Sequence, residues 1–270
     1  DWSSEFDGEE GENRFAVAEF EQSGARVTGT VLTPTGDHRF LEGELAGSRL
    51  HLSAFDGSHL FLYEAELTSD SSLQGHFFSG RHYHDTWVAF RKADASLPDP
   101  DALAFLRPGY SSLDFSFADR NGKYWTPRDP SFVNKVLIVQ LLGSWCPNCM
   151  DETAFLSDYY RMHRDRGVEI IGIAYERTTD SLRLWKNIDR FRNFHHVEYP
   201  LVYGGYANKD SAAKTLPMLN RVFAFPTTII LDRKGQVRRV HSGFNGPATG
   251  EAYKRETAEL SSFIDRLLAE

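Results

Sequence analysis

Between residues 13 and 91, apolar and polar residues alternate in short runs separated by turn residues. Period-two alternation is the mark of a strand with one face buried. The pattern predicts strands over residues 14–20, 27–32, 40–45, 49–55, 60–67, 75–79 and 85–90. The breaks carry Ser23-Gly24, Pro34-Thr35-Gly36-Asp37, Ala46-Gly47-Ser48, Asp56-Gly57-Ser58 and Ser69-Asp70-Ser71, all turn formers. Strands at this spacing predict an all-β antiparallel meander over residues 1–91, barrel-like as a small barrel or half-barrel, or else a sandwich. Residues 92–110 hold Pro98, Pro100, Pro108 and Gly109, with one helical turn over 101–106, and read as a Pro-rich linker.

From residue 111 to 270 the period changes. Residues 113–118 predict a strand, followed by an Asn121-Gly122 hairpin turn. Residues 136–142 form a nearly unbroken branched apolar run, the pattern of a strand buried on both faces. A helix follows over 150–164, then a second apolar strand over 168–174 and a helix over 180–193 with Leu184, Ile188 and Phe191 on one face. A short strand over 201–203 precedes the Gly204-Gly205 break, and Pro217 limits a helix over 211–219. Strands over 227–231 and 236–242 flank the turn Asp232-Arg233-Lys234-Gly235, and a helix over 251–269 closes the chain. Alternating strands and helices define an α/β domain.

The 270 residues suit two domains. Lys and Arg number 30 against 38 Asp and Glu, a net charge of −8, which argues against a nucleic-acid partner. No apolar window is long enough to span a membrane as a helix, and no basic, apolar leader is present. The chain opens at Asp1 and runs into the acidic stretch 7–12, as a cleaved leader, a lost membrane anchor or a trimmed chain would.

Cys146 and Cys149 are the only two cysteines, set as Trp145-Cys146-Pro147-Asn148-Cys149 between the buried strand and the helix. A CxxC in that setting reads as a redox dithiol. With Pro147 in the first helical position, Cys146 becomes the N-cap and its sulfur faces free backbone N–H groups at the positive helix end. Those groups favour the thiolate, which is the nucleophile. Cys149 lies one turn further on and more shielded, as the resolving thiol. Glu152 shares its helix face, and is either an ordinary surface glutamate near the helix start or a carboxyl directed at the interior, where burial would raise its pKa and suit it to exchange protons with Cys149. Pro226 stands before the strand 227–231, either as an ordinary strand-start proline or as a cis peptide beside the sulfurs.

These motifs give the chain a family resemblance over about residues 111–268. Trp145-Cys146-Pro147-Asn148-Cys149, Glu152, Phe225-Pro226-Thr227-Thr228 and Leu231-Asp232-Arg233-Lys234-Gly235 together resemble the TlpA/ResA-like thiol–disulfide oxidoreductases of the thioredoxin superfamily. The resemblance implies a thioredoxin-like C-terminal fold, a solvent-facing Cys146, an active-site carboxylate at Glu152 and a cis peptide at Pro226. Trp145, Pro147, Asn148 and Phe225 are then the residues that support the site. It also implies a place outside the cytoplasm, in the bacterial periplasm, with protein thiols or disulfides as substrates and a membrane thiol-transfer protein as electron donor. No separate cofactor is expected, the redox-active Cys146–Cys149 disulfide carrying the electrons. An all-β domain ahead of such a module resembles the arrangement in TlpA-like proteins of Bacteroidetes-type bacteria. The sequence departs from the pattern at Leu141-Leu142-Gly143-Ser144, which replaces an aromatic-rich approach, and at Gln140, where thioredoxin has a buried Asp.

Four other readings stand beside this one. A peroxiredoxin needs Thr or Ser and Pro ahead of its cysteine, where this chain has Gly143 and Gln140. A copper carrier would join the dithiol to His241 or the His195-His196 pair, soft thiolates suiting Cu(I). A separate metal site would use His76, His82, His84 and Asp85 of the β-domain. Alternatively, the β-domain itself holds a partner. Its aromatics Phe55, Phe61, Tyr63, Phe77, Phe78, Tyr83, Trp87 and Phe90 mostly read as core, and they name no ligand.

Overall fold

The computed structural model describes residues 2–6 and 14–270; the acidic stretch 7–12 lies outside them. By its contacts the chain divides into two units, Asp1–Pro98 with Asn245–Lys254, and Asp99–Phe244 with Arg255–Glu270.

The first unit is a closed antiparallel barrel. Its strands are β1 (Trp2–Phe6), β2 (Phe15–Ser23), β3 (Arg26–Thr33), the two-residue β4 (Gly36–Asp37), β5 (Leu41–Ala46), β6 (Arg49–Phe55), β7 (Leu60–Ser69), β8 (Ser72–Ser79) and β9 (Tyr83–Arg91). β1 pairs with β9 and β2, and β2 pairs also with β3, so the meander closes on itself with β4 appended to β3. Inward positions alternate as the sequence predicts: β6 reads exposed–buried throughout, with Leu50, Leu52 and Ala54 inside. Trp87, Tyr63, Leu41 and Leu52 are the barrel's largest fully enclosed side chains. His38 stacks on Phe61 and bonds the Tyr63 hydroxyl through Nδ1 at 2.6 Å; burial holds its pKa down at about 4, so it is neutral. Phe61, Tyr63, Phe77 and Trp87 are core, whereas Phe55 and Phe90 point outward and are exposed.

The second unit is a five-stranded sheet in the order β14-β13-β12-β15-β16, flanked by helices. After the small hairpin β10 (Phe117–Ala118) and β11 (Tyr124–Trp125) come β12 (Val136–Leu142), α1 (Pro147–His163), β13 (Val168–Glu176), α2 (Ser181–Phe194) and β14 (Leu201–Tyr206). They are followed by α3 (Lys209–Thr215), β15 (Thr227–Leu231), β16 (Val237–Ser242) and α4 (Glu251–Ala269). β12, β13 and β14 run parallel; β15 is antiparallel to both β12 and β16. Every residue of β12 is buried, as its unbroken apolar run predicts.

Four expectations change. The strand predicted over 113–118 shortens to Phe117–Ala118, because Leu113 and Phe115 turn into the core of this unit instead of extending a sheet. Gly204 and Gly205 do not break β14 but lie within it, at a register shift beside Tyr175, where a Cβ on Gly204 would sit 2.6 Å from an Ile173 methyl. The linker over 92–110 is not free in its second half. Leu103 and Ala104 are buried in the core, and Arg107 donates its backbone N–H to the Met218 carbonyl at 2.8 Å. Finally, Asn245–Lys254 groups with the barrel rather than with the α/β unit, although α4 begins inside that segment.

Candidate active site

The site grows from the end of β12. Gly143 follows the strand, and a Cβ there would lie 2.4 Å from the Trp145 indole nitrogen, so only glycine lets the ring fold back. Trp145 donates Nε1–H to the Tyr175 carbonyl at 2.9 Å, and the Arg177 guanidinium stands 3.9 Å over the ring. Ser144 donates through its backbone N–H and hydroxyl to the Glu176 carboxylate at 2.9 and 2.8 Å. Glu176 is buried, and burial pushes its carboxyl up against the lowering effect of those Ser144 bonds.

α1 starts at Pro147, with Cys146 as the N-cap in an extended conformation. The Cys149 backbone N–H donates to Cys146 Sγ at 3.4 Å. That is one of the orphan donors at a helix start, here satisfied by sulfur. The Cys146 thiol in turn meets the Phe225 carbonyl at 3.2 Å. The Phe225–Pro226 peptide is cis, and the Phe225 ring packs edge-on against Trp145 at 6.0 Å. Asn148 holds the facing loop by donating Nδ2–H to the Phe244 carbonyl at 3.2 Å. Both cysteines are free thiols. Cys146 is 5% exposed rather than solvent-facing, because Phe225 and Trp145 cover it; Cys149 is fully enclosed. Burial pushes the Cys149 thiol well above its ordinary range, and the neighbouring Cys146 and Glu152 charges push the same way.

Glu152 lies one turn past Cys149 and is completely buried. Gln140 donates Nε2–H to its Oε2 at 2.7 Å, and Thr228 donates its hydroxyl to Oε1 at 2.6 Å. Thr153 fixes Gln140 from behind at 3.1 Å. Burial raises the Glu152 pKa to about 7 despite those two bonds. The carboxyl is therefore poised to hold or release a proton near neutral pH.

The structure brings Trp145, Cys146, Pro147, Asn148, Cys149, Glu152, Phe225 and Pro226 into one site. Among the described residues it does not join any candidate metal histidine to the two sulfurs as a metal-holding group. His241 has both ring nitrogens on carboxylates, Asp101 and Glu256, and His195 is buried against Phe191. In the barrel His76 and His84 bond each other at 3.0 Å, but Asp85 turns inward, since neighbours on a strand face opposite sides. Among the described residues no group of three or more His, Cys, Asp or Glu is placed to hold a metal ion. Glu176 and the donor roles of Gln140 and Thr228 were not foreseen. A glutamate ending β13 directly after the apolar run 170–175 was the available signal for Glu176.

Residues 108–255, more than half the chain, match the Redoxin family model, and the chain belongs to that family. Thiol-disulfide oxidoreductase ResA of Halalkalibacterium halodurans is 25% identical over 140 residues, covering 52% of this chain and 71% of that protein. The ResA of Geobacillus thermodenitrificans is 23% identical over 135 residues, covering 50% and 69%. Among solved structures, a thiol:disulfide interchange protein of the thioredoxin family from Chlorobium tepidum covers 57% of this chain and 99% of its own, at 20% identity and a TM-score of 0.41. By these matches the chain is similar to TlpA/ResA-like thiol–disulfide oxidoreductases of the thioredoxin superfamily.

Proposed function

We propose that the protein reduces disulfide bonds of protein substrates outside the cytoplasm, through Cys146 and Cys149. The observation that carries this reading is the inequality of the two sulfurs. Cys146 Sγ sits at the helix start with a backbone N–H on it, while Cys149 is sealed beneath, beside a buried carboxyl.

The Cys146 thiolate attacks one sulfur of a substrate disulfide. The substrate S–S bond breaks, the other substrate sulfur leaves as thiolate, and a mixed disulfide forms. Once Cys146 is so bound, it no longer holds the Cys149 proton in place by charge or hydrogen bond, two of the effects that raise the Cys149 pKa. Cys149 then gives its proton to the Glu152 carboxylate and attacks Cys146 Sγ. The second substrate thiolate departs, the Cys146–Cys149 disulfide forms, and two electrons have passed to the substrate. A membrane thiol-transfer protein supplies the electrons that restore the dithiol. The family resemblance supports the donor and the extracytoplasmic place. Among the described residues no helix is long and apolar enough to cross a membrane.

The test is trapping. Cys149→Ser is expected to accumulate a covalent adduct at Cys146 with a disulfide-containing protein, seen by intact mass, and Cys146→Ser to abolish insulin reduction. A Cys149→Ser protein that turns over, or forms no adduct, counts against the assignment. A reduction potential near that of thioredoxin, about −270 mV, fits a reductant, and one near about −120 mV reverses the direction.

A further inference from the structure

β15 and β16 are antiparallel, and their register sets His241 directly opposite Thr228. Residues directly opposite on paired strands share one face of the sheet. His241 therefore lies on the face where Thr228 bonds the Glu152 carboxyl. It is buried, with Nδ1 2.7 Å from Asp101 Oδ1 and Nε2 3.0 Å from Glu256 Oε1 on α4. Ionised carboxylates only accept hydrogen bonds, so an imidazole between two of them carries hydrogen on both nitrogens and is a cation. Arg239 shares Asp101, its Nε 2.8 Å from Oδ2.

We propose that His241 is a positioning residue for the thiol chemistry, a buried imidazolium whose charge sets the pH window in which Glu152 takes the Cys149 proton. The inference rests on the reading of Glu152 as that proton partner. The groups facing Glu152 are Cys149 on α1, Gln140 on β12, Thr228 on β15, His241 on β16, Glu256 on α4 and Tyr199 ahead of β14. His241 is the only cation in that set. It favours the ionised carboxylate, while Glu256 opposes it. Without the imidazolium, the cation that favours the Glu152 carboxylate is gone while Glu256 still opposes it, so Glu152 keeps its proton to higher pH. The hydrogen bonds of His241 and its pKa, raised to about 9, keep it charged across the range in which Glu152 titrates.

The full-length reduced protein reacting with the chromogenic disulfide DTNB releases one thiolate as Cys146 attacks and a second as Cys149 resolves. The rate of the second phase against pH reads Glu152. In His241→Gln its inflection is expected to rise by about one pH unit, a tenfold slower resolution well below the inflection, with the first phase keeping its profile. An unmoved inflection in a His241→Gln protein with native near-ultraviolet dichroism overturns the proposal and leaves His241 a structural residue. Glu256→Gln tests the same field with the opposite sign: a lower inflection is expected, and an unmoved or raised one overturns the proposal even where His241→Gln fails to fold. Glu152→Gln separates the two readings. Loss of the inflection in that variant keeps Glu152 as the proton partner; its persistence sinks that role, whatever the His241 variants do.

Discussion

The Thr228 hydroxyl donates to Glu152 Oε1 across 2.6 Å, joining β15 to α1 over 76 positions of sequence. Thr228 lies two residues past the cis Pro226, so the strand that walls Cys146 also grips the carboxyl behind Cys149. The bond favours ionised Glu152. Thr228→Val keeps the shape and removes the donor. The second-phase inflection in the DTNB reaction should then rise by about one to two pH units, since a lost hydrogen bond to a charged group is worth roughly 1.5–3 kcal/mol. An unchanged inflection in a folded Thr228→Val protein would show that the hydroxyl has no hold on the titration.

Glu152 also shapes stability. Its folded pKa of about 7 stands above the ordinary carboxyl value of 4.5. Folding therefore favours the neutral form, and this contribution is complete below pH 4.5 and lost as pH rises through 7. Glu152→Gln is neutral throughout. Relative to the wild type it should gain stability as pH rises, up to about 3 kcal/mol above pH 8, with little difference near pH 4.5. Thermal midpoints of the two proteins across this range check it; parallel curves would mean that burial does not perturb the carboxyl.

Much of this was legible in the sequence because the signals are local. Period two and turn residues marked most of the barrel, and the strand–CxxC–helix run located both sulfurs, the N-cap and Glu152. β1 was missed because Trp2-Ser3-Ser4-Glu5-Phe6 puts a serine at its middle inward position, which breaks the apolar alternation, and its partner β9 lies far along the chain. The grip on Glu152 was missed because Gln140 and Thr228 are ordinary residues until the sheet sets β12 beside β15. Cys146 was expected to face solvent because the family resemblance implies it, and the sequence does not show that the Phe225 carbonyl meets its thiol. His241 looked like a candidate metal ligand, since its carboxylate partners lie 140 positions before it and 15 after it.

Glu176 holds the loop that presents Cys146. Its carboxylate accepts from the Ser144 backbone N–H and hydroxyl, two residues before the sulfur. Glu176→Ala leaves that N–H without its partner and frees the Ser144–Trp145 turn. The first DTNB phase should slow by about tenfold, or 1.4 kcal/mol of activation free energy, with the second-phase pH profile unchanged. If the second phase shifts while the first does not, Glu176 belongs to the resolving side.

Gly75 sets how closely β7 and β8 approach. It pairs with Ala65, and a Cβ placed on it would lie 1.9 Å from the Glu64 carbonyl oxygen and 2.5 Å from the Ala65 Cα. Both are backbone atoms, so no side-chain rotation relieves the clash, and the strands must separate. Gly43 meets the His51 carbonyl oxygen at 1.8 Å in the same way, which places these two glycines where the curved sheet comes nearest itself. Gly80 is the contrast. It has a positive φ of 65° but nothing within 4 Å of a Cβ, so its substitution incurs only backbone strain. Gly80→Ala should therefore cost about 1–2 kcal/mol, the left-handed penalty, and Gly75→Ala more than about 3 kcal/mol, in the range reserved for buried clashes. Urea unfolding followed by near-ultraviolet dichroism orders the two. If Gly80→Ala proves the more damaging, close backbone approach is not what fixes glycine at position 75.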